Sequence, residues 1–326
     1  MPTETVSAPK RASSIDRAER NATKRETGKE QLEIGKTFMP RRIPCILIAG
    51  TQSGSGKTTL AVGLTSALRR RGLRVQTYKV GPDYLDPTWL TAASGRPCYN
   101  LDGWMQGRAY VERLFERTSA DADIALIEGV MGLFDGANSD SESGSSAEIA
   151  RWLEASVLLT VPAGGAARSF AATVLGFCRF DEHVNIVGVV ASRTASPKHE
   201  SILRESLQAA NLPPLVGAMR TGAGPVLPSR HLGLVGAGCD GADVVSIMRQ
   251  LRDEVESRCD IDRLLQLSGP EIRRATNDRE EASNPCPADG NACIAAAFDE
   301  AFHFYYPDLF DALEHRGCRI RFFSPL

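Results

Sequence analysis

An α/β fold built on a doubly wound, mostly parallel sheet is what this chain predicts, and three observations predict it. From Ile43 onward, short β-rich apolar runs alternate with amphipathic helical stretches, the pattern of repeated β-α units. The first run, Ile46 to Ala49, breaks into glycines and closes on Gly56-Lys57-Thr58-Thr59. Such a strand, turn and helix turns successive backbone N–H groups, and the positive end of a helix dipole, onto a polyphosphate. A later run, Ile124 to Ile127, ends in Glu128, a carboxylate at the carboxyl end of a strand, where sheets of this kind bind ligands.

Composition bounds the rest. The 326 residues are 42% apolar, enough for one large α/β domain or two smaller ones. A net charge of -2 gives no electrostatic case for nucleic acid, and no apolar run approaches the roughly 18 residues of a membrane span. Eight cysteines, none at C-x-x-C spacing, read as free thiols rather than a metal site or disulfide framework. With no secretory apolar segment at the start, a cytoplasmic location is expected.

Taken in order, residues 1–41 form a polar tail of mixed charge, expected to be disordered. Met39, just before the first strand, is an alternative start. A phosphate-loop α/β domain is expected over 42–265. Its elements are strand Ile46 to Ala49, helix Thr58 to Arg71, strand Val75 to Val80, a helix around Val111 to Arg117 and strand Ile124 to Ile127. Helix Ser146 to Leu153, strand Ser156 to Val161, helix Ala167 to Arg179, strand Ile186 to Ala191, helix His199 to Ala210 and strand Leu215 to Ala218 continue it. Residues 266–291, rich in Pro, Asn, Asp and charge, read as a linker. Residues 292–326 then offer strand Cys293 to Phe298, helix Tyr306 to His315 and strand Arg319 to Phe323. One β-α-β piece is too small for a core of its own, so the chain reads as cut at the start of a second domain.

Three segments carry chemistry. In the phosphate loop, Gly54 and Gly56 give the backbone its turns, Lys57 reaches β/γ-phosphates, Thr58 ligates Mg²⁺ and Thr59 follows in the helix. Thr51 stands where the usual G-x-x-x-x-G-K-[ST] pattern has glycine, and Gly50 lies one residue further back. The loop is therefore one residue longer. After the second strand, Lys79-Val80-Gly81-Pro82-Asp83-Tyr84-Leu85-Asp86-Pro87 brings a lysine and two carboxylates to the ligand-binding edge. A solvated proline turn is the alternative reading of Asp83 and Asp86. Glu128, followed by Gly129 and Gly132, occupies a Walker B position suited to Mg²⁺, and a helix-capping acid is its alternative.

The motifs AGTQSGSGKTT, KVGPDYLDP, GRPCYNLD, IEGVMGLFDG, SSAEIA and LPSRHLGL, in this order, resemble the cobyrinic acid a,c-diamide synthase family. The resemblance implies a P-loop ATPase domain of the dethiobiotin-synthetase type followed by a glutamine amidotransferase domain, whose opening is similar to Phe298-Asp299-Glu300-Ala301-Phe302 and Phe323-Ser324-Pro325-Leu326. It implies ATP-dependent amidation of the a and c acetates of cobyrinic or hydrogenobyrinic acid through an acyl phosphate, with ATP and Mg²⁺ as cosubstrates. It also implies that Lys57 contacts phosphate and that Thr58, Asp86 and Glu128 hold Mg²⁺. Asp83, Tyr84, Leu85 and Asp135 would shape corrinoid binding or the order of the two amidations.

Lys79 and Arg168 are added on chemical grounds, as cations near strand ends where a substrate carboxylate could dock. An ordinary surface charge is the alternative for each. Ser192-Arg193 stands where the family has Asn-Arg, near the expected adenine pocket, and Pro162-Ala163 replaces the family's Asp after its strand. His231 reads as structural. Expected partners are a corrinoid or related tetrapyrrole, ammonia or a glutaminase domain or chain, and a second copy of this chain, with neither nucleic acid nor membrane. Other readings stay open: an amidase of another tetrapyrrole such as nickel-sirohydrochlorin, a partitioning-type P-loop ATPase, or an inactive fragment.

Overall fold

A computed structural model describes residues 43–222, 225, 227, 241–269, 292–299 and 301–326. The N-terminal tail, most of the expected linker, Glu300, His231, Cys239 and Cys286 lie outside those residues. The first strand, β1 (Cys45–Gly50), is buried along its whole length, as befits a continuous apolar run in the middle of a parallel sheet. Its side chains divide between two cores: Ile46 and Ile48 enter one, Leu47 and Ala49 the other.

Six further β-α steps follow. They are α1 (Lys57–Arg70), β2 (Val75–Val80), α2 (Asp86–Ser94), β3 (Tyr99–Leu101), α3 (Arg108–Ser119), β4 (Ile124–Glu128) and α4 (Ser146–Trp152), then β5 (Ser156–Pro162), α5 (Ser169–Phe180), β6 (Ile186–Thr194), α6 (Pro197–Ala209) and β7 (Leu215–Arg220). The seven strands lie in the order β3-β2-β4-β1-β5-β6-β7, all parallel. The doubly wound expectation is met, and the chain's reversal around β1 sets the carboxyl ends of β2, β4 and β1 side by side. Among the described residues no helix is long and apolar enough to cross a membrane.

Four elements escaped the sequence reading. α2 begins at Asp86, with Pro87 in its first turn, inside a segment read as loop; proline is tolerated there because that turn's N–H groups have no intrahelical partner. β3 has only three residues, too few to show alternation. α7 (Gly241–Arg258) and α8 (Ile261–Leu267) extend the first unit past the point at which the strands end. Leu251 and Val255 of α7, four residues apart, are buried in the core beside α1.

α1 is consequently covered on two sides, by the sheet and by α7, and Leu60, Leu64 and Leu68 are almost wholly buried. Each such leucine contributes about 1.5–3 kcal/mol of burial free energy. Gly63 marks the closest approach: a Cβ there would lie 2.5 Å from Val255 Cγ2 and 2.7 Å from the Leu251 carbonyl oxygen. Of the eight cysteines, the six described are free, with Cys45 and Cys98 buried; burial pushes the Cys45 thiol up to about 12, so it stays protonated and inert.

The last residues form β8 (Cys293–Ala297), α9 (Pro307–His315) and β9 (Arg319–Phe323), a parallel two-stranded sheet with its own helix. α9 packs on the β3–α3 edge through charged hydrogen bonds. Asp308 accepts from the Tyr110 hydroxyl at 2.6 Å, and Asp311 accepts from the Tyr99 hydroxyl at 3.0 Å and Arg117 at 3.1 Å.

Candidate active site

Strand register builds the site. Lys79 on β2 and Ile48 on β1 both stand opposite Glu128 on β4. By the two-residue period of a strand, Lys79 continues the row of Val75 and Thr77, and Glu128 the row of Ile124 and Leu126. Both rows face the core lined by α1 and α2, so an ammonium and a carboxylate end two apolar rows beneath the first turn of α1.

That turn is built to receive an anion. Gly54 and Gly56 take φ of 70° and 98°, open to glycine at little cost, and a Cβ on Gly50 would fall 2.1 Å from Ser55 Oγ. Gly56 sits at the N-cap without a side-chain acceptor, and no acidic residue lies in the first turn. The orphan N–H groups and the positive dipole end therefore face outward, the arrangement that binds phosphate. The extra loop residue is accommodated by Thr160 of β5: Thr51 N donates to its carbonyl at 3.1 Å, and its hydroxyl pairs with Ser55 Oγ at 3.0 Å.

Lys57 donates to the Gln52 carbonyl at 3.2 Å and to the Met131 carbonyl at 2.5 Å. Met131 takes φ of 45°, an uncommon conformation for a side-chain-bearing residue, and so aims its carbonyl at the lysine. Thr58 Oγ1 donates to Glu128 Oε1 at 2.5 Å and lies 3.5 Å from Asp86 Oδ2. The Lys79 ammonium donates to Asp86 at 2.6 Å, to Glu128 at 3.0 Å and to the Gly129 carbonyl at 3.3 Å, and Asp83 lies at 3.8 Å.

Burial is extreme here: Lys79 is 1% exposed and Glu128 is wholly buried. Burial alone would lower Lys79, but Glu128, Asp86 and Asp83 outweigh it and hold the ammonium charged, above its ordinary range. Burial pushes Glu128 up to about 7, against the pull of Lys79 and with the push of Asp86. The three carboxylates outnumber the one ammonium, and Glu128 Oε2 is buried with no hydrogen-bond partner among the described residues.

This geometry belongs to a nucleotide-binding fold, and residues 46–223 match the family model described as the CobQ/CobB/MinD/ParA nucleotide binding domain. The chain belongs to that family. It is similar to the cobyrinate a,c-diamide synthase of Syntrophotalea carbinolica, with 52% identity over 87% of this chain and 61% of that one. The protein of the same name from Dehalococcoides mccartyi is 42% identical over the same shares. The chain thus spans about three-fifths of the length of these curated relatives. Among solved structures, FtsY of Elizabethkingia anophelis aligns at a TM-score of 0.41 with 16% identity, over 64% of this chain and 66% of that one.

Within this family member, the fold brings Gly54, Gly56, Lys57, Thr58, Asp83, Asp86, Glu128 and Lys79 together. Thr59 is half-buried in the first turn of α1. Asp83 Oδ1 accepts from the Leu85 and Asp86 N–H groups at 2.9 and 3.1 Å, fixing the turn into α2. Asp135 is exposed and folds back on its own loop, accepting from Gly132 N at 2.7 Å. Ser192 is buried beside the phosphate loop, and the Arg193 guanidinium donates to the Gly54 carbonyl at 3.0 Å. Arg168 is exposed at the start of α5, after β5.

Two placements change the picture drawn from sequence. The Lys79 ammonium is enclosed rather than offered to an incoming carboxylate, because its strand is covered by helices on both faces. The Tyr84 ring is engaged by Phe304 and Tyr306, with centroids at 5.1 and 5.3 Å. Asn100 of β3 went unassigned: its amide donates to the Gly81 and Asp83 carbonyls at 2.9 and 2.8 Å and ties down the acidic turn. Its place within the GRPCYNLD motif was the available signal.

The oxygen cluster fits a magnesium ion. Thr58, Asp86 and Glu128 are hard oxygen donors, and the orphaned Glu128 Oε2 adds an unsatisfied one. Among the described residues no group of three or more His, Cys, Asp or Glu side chains is arranged to hold a metal ion alone; Mg²⁺ usually takes several of its ligands from phosphate and water.

Proposed function

We propose that this chain carries the ATP-dependent half of a corrinoid amidation: activation of the a and c acetate carboxylates of cobyrinic or hydrogenobyrinic acid, followed by capture of ammonia. The observation that carries the reading is the Thr58–Asp86–Glu128 oxygen cluster beside Lys57, beneath an uncapped helix N-terminus. The names of the relatives supply the substrate.

A carboxylate does not react usefully with ammonia until one oxygen becomes a leaving group. The uncapped N–H groups of α1 bind the triphosphate, and Lys57 turns from the Met131 and Gln52 carbonyls to the β/γ-phosphates. Thr58, Asp86 and Glu128 would hold Mg²⁺, which would supply neutralisation of the charge on the transferring phosphoryl group. Lys79 keeps Asp86 and Glu128 aimed at that position and limits their mutual repulsion, as an internal counter-ion. Arg193 and Ser192 line the loop's outer side, where the nucleoside would extend. Asp83, Leu85 and Asp135 stand at the same sheet edge for the tetrapyrrole, with Arg168 as a further exposed cation.

The acetate oxygen attacks the γ-phosphorus, the bond to the β-phosphate oxygen breaks, and its electron pair leaves with ADP. Ammonia then adds to the acyl carbon, phosphate departs and a proton is lost, leaving the amide. Positioning and charge stabilisation account for the catalysis, with no protein nucleophile.

The test is direct. Purified chain, Mg·ATP and ammonia are incubated with cobyrinic and with hydrogenobyrinic acid, and products are read by mass spectrometry. Two successive exchanges of OH for NH₂, with ADP and phosphate released in step, are expected. Unchanged mass with both acids overturns the substrate assignment.

A further inference from the structure

The C-terminal unit touches the acidic turn through two aromatic contacts that neither phosphate binding nor metal binding explains. Tyr84 lies between Asp83 and Asp86, and its ring stacks on Phe304 at 25° and packs against Tyr306 at 31°. Tyr306 is itself anchored, its hydroxyl donating to Asp102 Oδ2 at 3.1 Å. Asp102 lies two residues beyond Asn100, the amide that ties the Gly81 and Asp83 carbonyls. The turn is therefore held on one side by β3 and on the other by the segment leading into α9.

We propose that Tyr84 is a positioning residue that couples docking of the 303–306 segment to the arrangement of Asp83 and Asp86, so that Mg·ATP and the C-terminal unit bind cooperatively. The inference rests on the nucleotide site described above. Tyr84 is two residues from Asp86 and one from Asp83, so tilting its ring rotates the short turn that carries both carboxylates. Asp83 Oδ1 closes that turn on the N–H groups of Leu85 and Asp86, and a turn so fixed moves as one piece. Phe304 is 55% exposed, hence removable without opening a core. Coupling of this kind is reciprocal: whatever the docked segment adds to nucleotide affinity, the nucleotide returns to docking.

The experiment uses the full chain and a β,γ-imido analogue of ATP with Mg²⁺, with no corrinoid present. Calorimetric titration of Phe304→Ala is expected to show roughly two- to tenfold weaker analogue binding, the worth of one aromatic pair, and Phe304→Tyr is expected to restore it. In the wild type, the analogue should slow amide hydrogen exchange in residues 301–306 by a similar factor. Unchanged affinity in Phe304→Ala, with Lys57→Ala abolishing binding, overturns the coupling and leaves the nucleotide site standing; a Tyr84 ring that serves only the tetrapyrrole gives that result. A wild-type chain that does not bind the analogue overturns both.

Discussion

Replacing Lys79 by methionine isolates the part of the site that differs most from its sequence reading. Methionine keeps the length of the aliphatic stem but removes the charge that Asp86 meets at 2.6 Å and Glu128 at 3.0 Å. Removing one partner of a buried ion pair leaves the other charged and unpaired, which costs about 3–5 kcal/mol. At ~2–4 °C per kcal/mol for a domain of this size, the melting temperature falls by roughly 6–20 °C. Urea denaturation in metal-free buffer measures the loss.

The double variant Lys79→Met/Glu128→Gln removes one of the two carboxylates left without the ammonium and leaves Asp86, so only part of the stability should return, as a double-mutant cycle will show. A Lys79 that docked substrate from the surface would behave otherwise, with unchanged stability and a raised KM. A loss below about 1 kcal/mol, the range of exposed pairs, would refute the buried counter-ion argument.

Other perturbations test neighbouring steps. Asn100→Leu frees two carbonyls of the acidic turn, at ~1–3 kcal/mol for each left buried without a partner; weaker Mg·ATP affinity by calorimetry is expected although Asn100 touches neither. Gly63→Ala gains up to ~1 kcal/mol of helix propensity but drives a methyl into Val255 and the Leu251 carbonyl, at about 1–3 kcal/mol of overpacking. A lower urea midpoint is expected, since a backbone carbonyl yields less readily than a side-chain tip. The Arg96 guanidinium grips Asp121 at 2.6 and 2.8 Å and, against some loss of hydration, holds its carboxyl below the usual range. That stability is present above the unfolded-state pKa near 4 and is lost as pH falls through the folded value. Asp121→Asn should therefore flatten the stability–pH curve below about pH 4 by only a few tenths of a kcal/mol, because the pair is half-exposed.

The sheet was legible because most of its long strands hold a run of apolar residues ended by a turn signal. Ile46 to Gly50 ends in the phosphate loop, and Ile124 to Glu128 ends on the carboxylate that the site uses. The phosphate loop was legible for the same reason, since glycine and Lys-Thr chemistry is local. What sequence concealed is long-range. Lys79 lies next to the end of a strand of mixed polarity, Val-Gln-Thr-Tyr-Lys-Val, and nothing local tells that helices cover both its faces; yet the period of two already placed it in the row of Val75 and Thr77. Asp86 was read in a loop because Asp-Pro serves equally as a turn and as the first step of a helix. Tyr84 and Phe304 are 220 positions apart, and only tertiary packing joins them.

Several groups left unsatisfied in the free protein lie around the phosphate loop. α1 starts without a side-chain cap, Glu128 Oε2 and Ser192 Oγ are buried without partners among the described residues, and Met131 holds a left-handed φ to offer Lys57 a carbonyl. Three other helices do carry side-chain caps, where Ser145 accepts from Glu148 N, Ser196 from His199 N and Asp260 from Arg263 N, whereas α2, α3, α5 and α9 also begin without one. Unsatisfied groups of opposite polarity gathered at this edge fit a site shaped for anionic and cationic partners. Binding Mg·ATP should relieve each of these at once, so nucleotide is expected to raise the unfolding temperature progressively with concentration. Thr58→Val, which removes the hydroxyl shared by Glu128 and the expected metal position, should weaken that response more than it lowers the stability of the free chain.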